Sequence, residues 1–255
     1  MKRIILTLAM VMLFTTNIYA TDLIGHRGYS GKYPENTMAA FKGAYKSGFD
    51  GIEADIWESD NGDLMIFHDV NTKDLTGRSS KIWRVNTNNR HKYKVKQKGR
   101  RELIPTFEET LAYIQKTDMT MLLHIKTDKK YRLSDEGVEK IVSLIKEYGV
   151  EDNVVIFASS RKATKRFSNK GVRLGILTYA KKDMKKDIAW LEKNGGDTLV
   201  IHKVRNIKDK SVIRLCHEKG IKVGTYWTYS RKEFRKLESM GADFAMANNK
   251  LNTAP

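Results

Sequence analysis

The chain has 255 residues, with 47 Lys and Arg against 30 Asp and Glu, a formal net charge of +17, 40% hydrophobic residues and a single Cys. That content is enough for a globular core and excludes a disordered or collagen-like chain. The lone thiol, Cys216, closes no intramolecular disulfide and builds no Cys-based zinc site.

In chain order, Lys2 and Arg3 come first, then an apolar run over 4–14, a short polar stretch and Ala20. A charged start, an apolar run too short for a bilayer and a small residue are the features of a secretory signal peptide, here cleaved after Ala20. The expectation is an exported protein, periplasmic or secreted, whose folded part is 21–255.

Strand-like runs then fall at 23–26, 51–57, 121–126, 154–158, 173–178, 198–202, 222–227 and 243–247. Amphipathic segments with helical spacing separate them, at 36–47, 107–116, 135–148, 161–168, 184–193, 209–219 and 231–240. Gly48, Gly149, Gly171, Gly195, Gly220 and Gly241 stand where helices should stop. Eight strands alternating with helices predict a parallel sheet, and their number and spacing suit a (β/α)8 TIM barrel. An open doubly wound sheet is the alternative. No Gly-rich dinucleotide fingerprint follows the first strand. A further short strand at 63–68 is joined to 51–57 through the turn Asp60-Asn61-Gly62. The polar, basic stretch 70–104 after it reads as a loop insertion following the second strand, on one barrel rim.

In such a barrel the reacting groups sit at the C-terminal ends of strands. His26 ends the first strand and precedes Arg27. Glu53 and Asp55 lie two apart on the second strand, so both face the interior. Two inward carboxylates repel each other and lose solvation, and a divalent cation between them relieves both costs. His68 ends the extra strand. His124 and Lys126 share a face of the third. Singly, each of these residues is commonly structural. Together they assemble hard oxygens for a cation, two charges for a phosphate and two imidazoles for proton transfer, which is the equipment of phosphodiester cleavage.

The order of motifs carries more. His26-Arg27-Gly28, Pro34-Glu35-Asn36-Thr37, Ala40-Phe41, Ile52-Glu53-Ala54-Asp55 and His68-Asp69 resemble the glycerophosphodiester phosphodiesterase family. Leu75-Thr76-Gly77, Ile104-Pro105-Thr106, Trp227-Thr228 and Gly241-Ala242-Asp243 extend the resemblance over the whole folded part. It implies a TIM barrel that hydrolyses glycerophosphodiesters to glycerol 3-phosphate and an alcohol. It also implies His26 and His68 as the acid/base pair, Glu53 and Asp55 as metal ligands, and Arg27 and Lys126 facing the phosphate. Trp227 is implied to line the pocket. The chain departs from the family pattern on the third strand, where a Glu-x-Lys is replaced by His124-Ile125-Lys126.

The expected cofactor is a divalent cation, Ca or Mg in the first place. Ligation by His124 would remove one negative charge and admit Mn or Zn. The other reading of His124 is a non-ligand contact. The expected partner is a small-molecule phosphodiester and not nucleic acid. The basic stretch 91–101 is either a solvated face or a contact for an anionic membrane or cell-wall polyanion. Glu35 and Asn36 either cap the first helix or touch substrate. His202 is expected to be structural or at the rim. A phospholipase D-like or lyase activity on lysophospholipids or sphingolipids is the alternative function, and a non-catalytic binding barrel is the third.

Overall fold

Runs such as Val154-Val155-Ile156-Phe157, apolar on both faces, are what a parallel strand covered by helices requires. The computed structural model describes residues 20–128 and 131–251. The leader expected at 1–20 lies, apart from Ala20, outside the described residues. The elements are β1 (Asp22–Gly25), α1 (Met38–Lys46), β2 (Gly51–Glu58), β3 (Leu64–Ile66), α2 (Lys73–Thr76), β4 (Val95–Gln97), β5 (Arg100–Glu102) and α3 (Phe107–Thr117). They continue with β6 (Thr120–Ile125), α4 (Asp135–Glu147), β7 (Val154–Ala158), α5 (Arg161–Lys165), β8 (Arg173–Thr178), α6 (Lys181–Asn194), β9 (Thr198–Ile201), α7 (Ser211–His217), β10 (Lys222–Thr225), α8 (Arg231–Met240) and β11 (Phe244–Ala247).

Eight of the strands are parallel and form a closed ring, β1-β2-β6-β7-β8-β9-β10-β11, with β11 pairing back to β1. This is the (β/α)8 barrel, and each of its strands matches one expected from the sequence. The six glycines expected after helices all have positive φ. β3 adds to β2 in antiparallel fashion, through the pairs Ile56–Ile66, Trp57–Met65 and Glu58–Leu64.

Alternation along the strands separates two cores. On β2, Ile52, Ala54 and Ile56 face the helices, in a layer shared with Phe41, Leu111 and Ile141. On β6, Met121, Leu123 and Ile125 join that layer, while Leu122 turns inward to pack with Ile24, Val155, Phe157 and Phe244 in the barrel interior. Each fully buried apolar side chain of this kind stabilises by roughly 1.5–3 kcal/mol. The same period of two places Glu53, Asp55 and His124 on the interior face.

The insertion is more ordered than a loop. It contains α2, two 3-10 turns at Ile82–Arg84 and Arg90–Lys92, and the β4–β5 hairpin. Leu75, Ile82, Val85, Val95 and Ile104 close over Trp57, Met65 and Phe67 in a small core of their own. These apolar residues are irregularly spaced, so no helical or strand period announces them. Arg90 fastens the insertion to α3, donating to both carboxylate oxygens of Glu109 (2.6 and 2.7 Å) and to the Ile104 carbonyl (3.0 Å). Glu109 also closes the capping box with Thr106 that starts α3.

Candidate active site

His26 follows β1 and is fixed to the sheet by its backbone N–H, which donates to the Ala247 carbonyl at 3.0 Å. The chain then reverses through Arg27 (φ 57°) and Gly28 (φ 74°). A Cβ at Gly28 would lie 2.8 Å from Ala40 of α1, so only glycine lets the turn sit this close. The reversal aims the Arg27 backbone N–H at Glu53 Oε2, 2.9 Å away. It also brings the guanidinium against Glu35 (2.6 Å) and within 3.6 Å of Asp55.

The His26 ring is buried, edge-on to Tyr226 at 4.8 Å and to Trp227 at 6.2 Å. Its Nδ1 meets Asn248 Oδ1 at 2.7 Å. An amide oxygen only accepts, so Nδ1 carries the proton and Nε2 is left with its lone pair, 3.9 Å from Glu53 Oε2. Burial, reinforced by the Arg27 charge, pushes the His26 pKa down to about 3, and the ring is neutral.

Glu53 and Asp55 have no solvent exposure. Asp55 is heavily held. Its Oδ2 accepts from the Asn36 side chain at 2.9 Å, its Oδ1 from His124 Nδ1 at 3.1 Å, and Lys126 Nζ stands 3.5 Å away. Burial acts to raise the Asp55 pKa, but Lys126, the His124 hydrogen bond and the nearby histidine charges outweigh it and hold the group well below the ordinary range. Glu53 goes the other way. Burial first and the Asp55 charge second lift it well above the usual carboxylate range. His124 is stacked on Phe157 (4.7 Å, 11°) and is driven towards its neutral form by burial.

His68 follows β3, partly open to solvent, with Nδ1 held by Asp69 Oδ1 at 2.6 Å. That bond, ahead of all other influences, lowers the Asp69 pKa and keeps its carboxylate charged beside the ring. His68 is near enough for its charge to act on His26, Asp55 and His124.

The structure thus joins His26, Arg27, Glu53, Asp55, His124 and Lys126 by direct contacts. Trp227 reaches the group through His26, and His68 reaches it through the electrostatic field. His202 stands at the rim, 5.5 Å from the Trp227 ring. Neither Asn36 nor Glu35 caps α1. Thr37 does so, its hydroxyl accepting from Ala40 N–H, because Asn36 is committed to Asp55 and Glu35 to Arg27. The insertion also touches the site, since Gln97 of β4 accepts from the Glu35 backbone N–H at 3.0 Å. Sequence reasoning missed Asn248, Tyr226 and this role of Asn36. A cavity of about 650 Å³ beside Ile125 and Phe167 opens on the helix side of β6, and no member of the cluster lines it.

Three buried polar atoms of the cluster have no hydrogen-bond partner among the described residues: His26 Nε2, Arg27 Nε and Glu53 Oε1. Buried orphans of this kind call for an explanation. One ligand atom from each of Glu53, Asp55 and His124 lies within 4.8 Å of the others. Ligands held at about 2.0–2.6 Å from one cation have such mutual spacings. Two carboxylates and an imidazole therefore fit a divalent cation. Ligation through Nδ1 would require His124 to give up both the proton there and its bond to Asp55.

Fold and site together define the class: a (β/α)8-barrel protein with a cation-ready carboxylate–imidazole centre at the C-terminal ends of its strands. The chain belongs to the glycerophosphoryl diester phosphodiesterase family, whose family model matches residues 26–249. A glycerophosphodiester phosphodiesterase of Caldanaerobacter subterraneus subsp. tengcongensis is 34% identical over 140 residues, covering 53% of this chain and 57% of that protein. The chain spans little more than half the length of the curated relatives it first matches. An Oleispira antarctica phosphodiesterase, solved in complex with the product sn-glycerol-3-phosphate, superposes with a TM-score of 0.78 at 23% identity, over 90% of this chain and 94% of that one. The glycerophosphodiester phosphodiesterase of Agrobacterium tumefaciens str. C58 gives 0.75 at 17% identity, over 90% and 96%. At these identities the likeness establishes the fold.

Proposed function

We propose that the protein hydrolyses glycerophosphodiesters to glycerol 3-phosphate and an alcohol, with His26 and His68 as the acid/base pair. The observation that carries this reading is the convergence of His26, Arg27, Glu53, Asp55, His124 and Lys126 at one end of the barrel. Arg27 and Lys126 bind and orient the phosphate. Glu53, Asp55 and His124 hold the divalent cation, which when bound supplies positive charge against the phosphoryl oxygens.

The two histidines have different partners, and that divides their work. Asn248 is neutral and leaves the buried His26 ring uncharged with Nε2 free, so His26 takes the proton from the attacking oxygen, whether the glycerol 2-hydroxyl or water. Asp69 fixes the His68 ring through Nδ1, and His68 gives a proton to the departing alcohol oxygen. If the 2-hydroxyl attacks, water opens the resulting cyclic phosphate with the two roles exchanged.

The same reading takes 1–20 as a cleaved leader and the protein as exported. It takes the exposed cations of 91–101, carried by the β4–β5 hairpin and the turn before it, as a contact for an anionic membrane or cell-wall polyanion. Ca or Mg is the metal to try first, then Mn or Zn. The test uses purified chain 21–255, stripped with chelator and reloaded with each ion, and measures glycerol 3-phosphate released from several glycerophosphodiesters. Metal-dependent release is the expected result. No glycerol 3-phosphate with any ion and any headgroup would overturn the reading.

A further inference from the structure

The tip of the β4–β5 hairpin grips the loop that carries Arg27. Lys98 and Gly99, both at positive φ (52° and 69°), make its two-residue turn, and Gln97 and Arg100 are the pair that closes it. These two side chains meet the β1–α1 loop at neighbouring points. Gln97 Oε1 accepts from the Glu35 backbone N–H at 3.0 Å, and the Arg100 guanidinium lies over the Tyr33 ring, 4.7 Å from its centroid. Pro34, between them, has a fixed φ, and its carbonyl accepts from the Thr37 hydroxyl at 2.6 Å. The Tyr33 ring lies so close over α1 that a Cβ at Gly43 would come within 2.3 Å of it. Segment 33–35 is therefore held by α1 on one side and by the hairpin on the other.

What this segment carries is the partner of Arg27. Glu35 Oε1 accepts from Arg27 Nη1 at 2.6 Å, while Nε of the same guanidinium is buried with no hydrogen-bond partner among the described residues. A guanidinium fixed at one nitrogen, with a donor to spare at another, is prepared for an anion's oxygen. The hairpin is a firm support, since Val95 is part of the insertion's core and Arg90 fastens the insertion to Glu109. We propose that Gln97 is a positioning residue, which fixes Glu35 and through it aims the Arg27 guanidinium at the phosphate. This rests on the phosphodiesterase reading above. It gives the insertion a part in holding the phosphate common to all substrates, and not in choosing the alcohol.

The test uses metal-loaded protein with glycerol 3-phosphate as the probe, its Kd measured by calorimetry. Gln97→Leu removes the acceptor at a partly exposed position, and Kd is expected to rise about tenfold as the guanidinium loses its aim. Gln97→Glu keeps an acceptor at the same reach and should stay within about threefold of the wild type. In an Arg27→Gln background, Gln97→Leu should cost no more than about twofold, because a residue that acts through Arg27 has nothing left to aim. Melting curves check that each variant is folded, and kcat/KM for a glycerophosphodiester should follow the same pattern. Should the wild-type protein cleave no diester, the phosphodiesterase reading falls, while the dissociation constants still decide the role of Gln97. The proposal is overturned by an unchanged Kd in Gln97→Leu, by an equal loss in Gln97→Glu, or by a loss that persists in full without Arg27. No binding of glycerol 3-phosphate by the wild type would overturn it too.

Discussion

Asn36 holds Asp55 at two points. Its side-chain N–H donates to Asp55 Oδ2 at 2.9 Å, and its side-chain carbonyl accepts the Asp55 backbone N–H at 3.2 Å. It does so from a left-handed backbone conformation, φ 52°, which asparagine tolerates better than most residues. Both groups are buried, so Asn36→Ala leaves a backbone donor without this hydrogen bond and Asp55 Oδ2 with only the Arg27 guanidinium at 3.6 Å. The expected cost is about 1–3 kcal/mol of stability. Loss of a group that orients a metal ligand should also weaken cation affinity by about 10–100-fold. Calorimetric unfolding and metal titration of the variant check the two effects separately. Unchanged metal affinity would mean that Asn36 supports only the fold and not the metal ligand.

That role was not legible in the sequence. A Pro-Glu-Asn-Thr run ahead of a helix reads as a cap, and only the approach of β2 shows that Thr37 takes the cap while Asn36 turns inward. Asn248 gave no signal because its partner His26 is 222 residues away. The barrel itself was legible: its strands are apolar runs and its helices amphipathic, and both follow from local periodicity. So was the interior placement of Glu53 and Asp55, which needs nothing beyond the period of a strand. The insertion was only half legible, since the residues of its small core are held together by contact with Trp57 and Phe67 and not by a repeating pattern.

His26→Ala and His68→Ala are each expected to lower kcat by at least about 10²-fold, the scale of general acid–base catalysis. Asn248→Ala should be milder, because it keeps the ring and frees only its orientation. A loss of roughly tenfold or more in kcat is expected, with KM little changed. Steady-state kinetics on the metal-loaded protein distinguish the three variants. Near-wild-type turnover in either histidine variant would remove that residue from the mechanism.

The resemblance in the sequence implies a carboxylate where His124 stands, and its replacement tests what the imidazole does there. His124→Glu supplies a third carboxylate beside Asp55 and Lys126. Hard oxygen donors favour Ca and Mg, while an imidazole is better suited to Mn and Zn. The variant is therefore expected to shift its binding preference towards Ca or Mg by about tenfold or more. Competition titrations between Ca and Mn measure this without reference to activity. Equal preference in the two proteins would mean that His124 is a neighbour of the metal and not a ligand.

The Arg90–Glu109 pair ties the insertion to α3, and it should give the protein a measurable acid dependence. The hydrogen bond from Arg90, ahead of other influences, holds Glu109 below its ordinary pKa of 4.5. A group depressed in the folded state contributes stability that is fully present above its unfolded pKa and is lost as pH falls through the folded value. The contribution is therefore intact at neutral pH and disappears below about pH 4.5. The pair is partly open to solvent, so its worth at neutral pH is modest, roughly 0.2–1 kcal/mol. Glu109→Gln should lower Tm slightly at pH 7 and by less at pH 3, so the two melting curves converge as the solution is acidified. Curves that stay parallel from pH 7 to pH 3 would place the anchoring of the insertion in its apolar contacts with Trp57 and Phe67, and not in this ion pair.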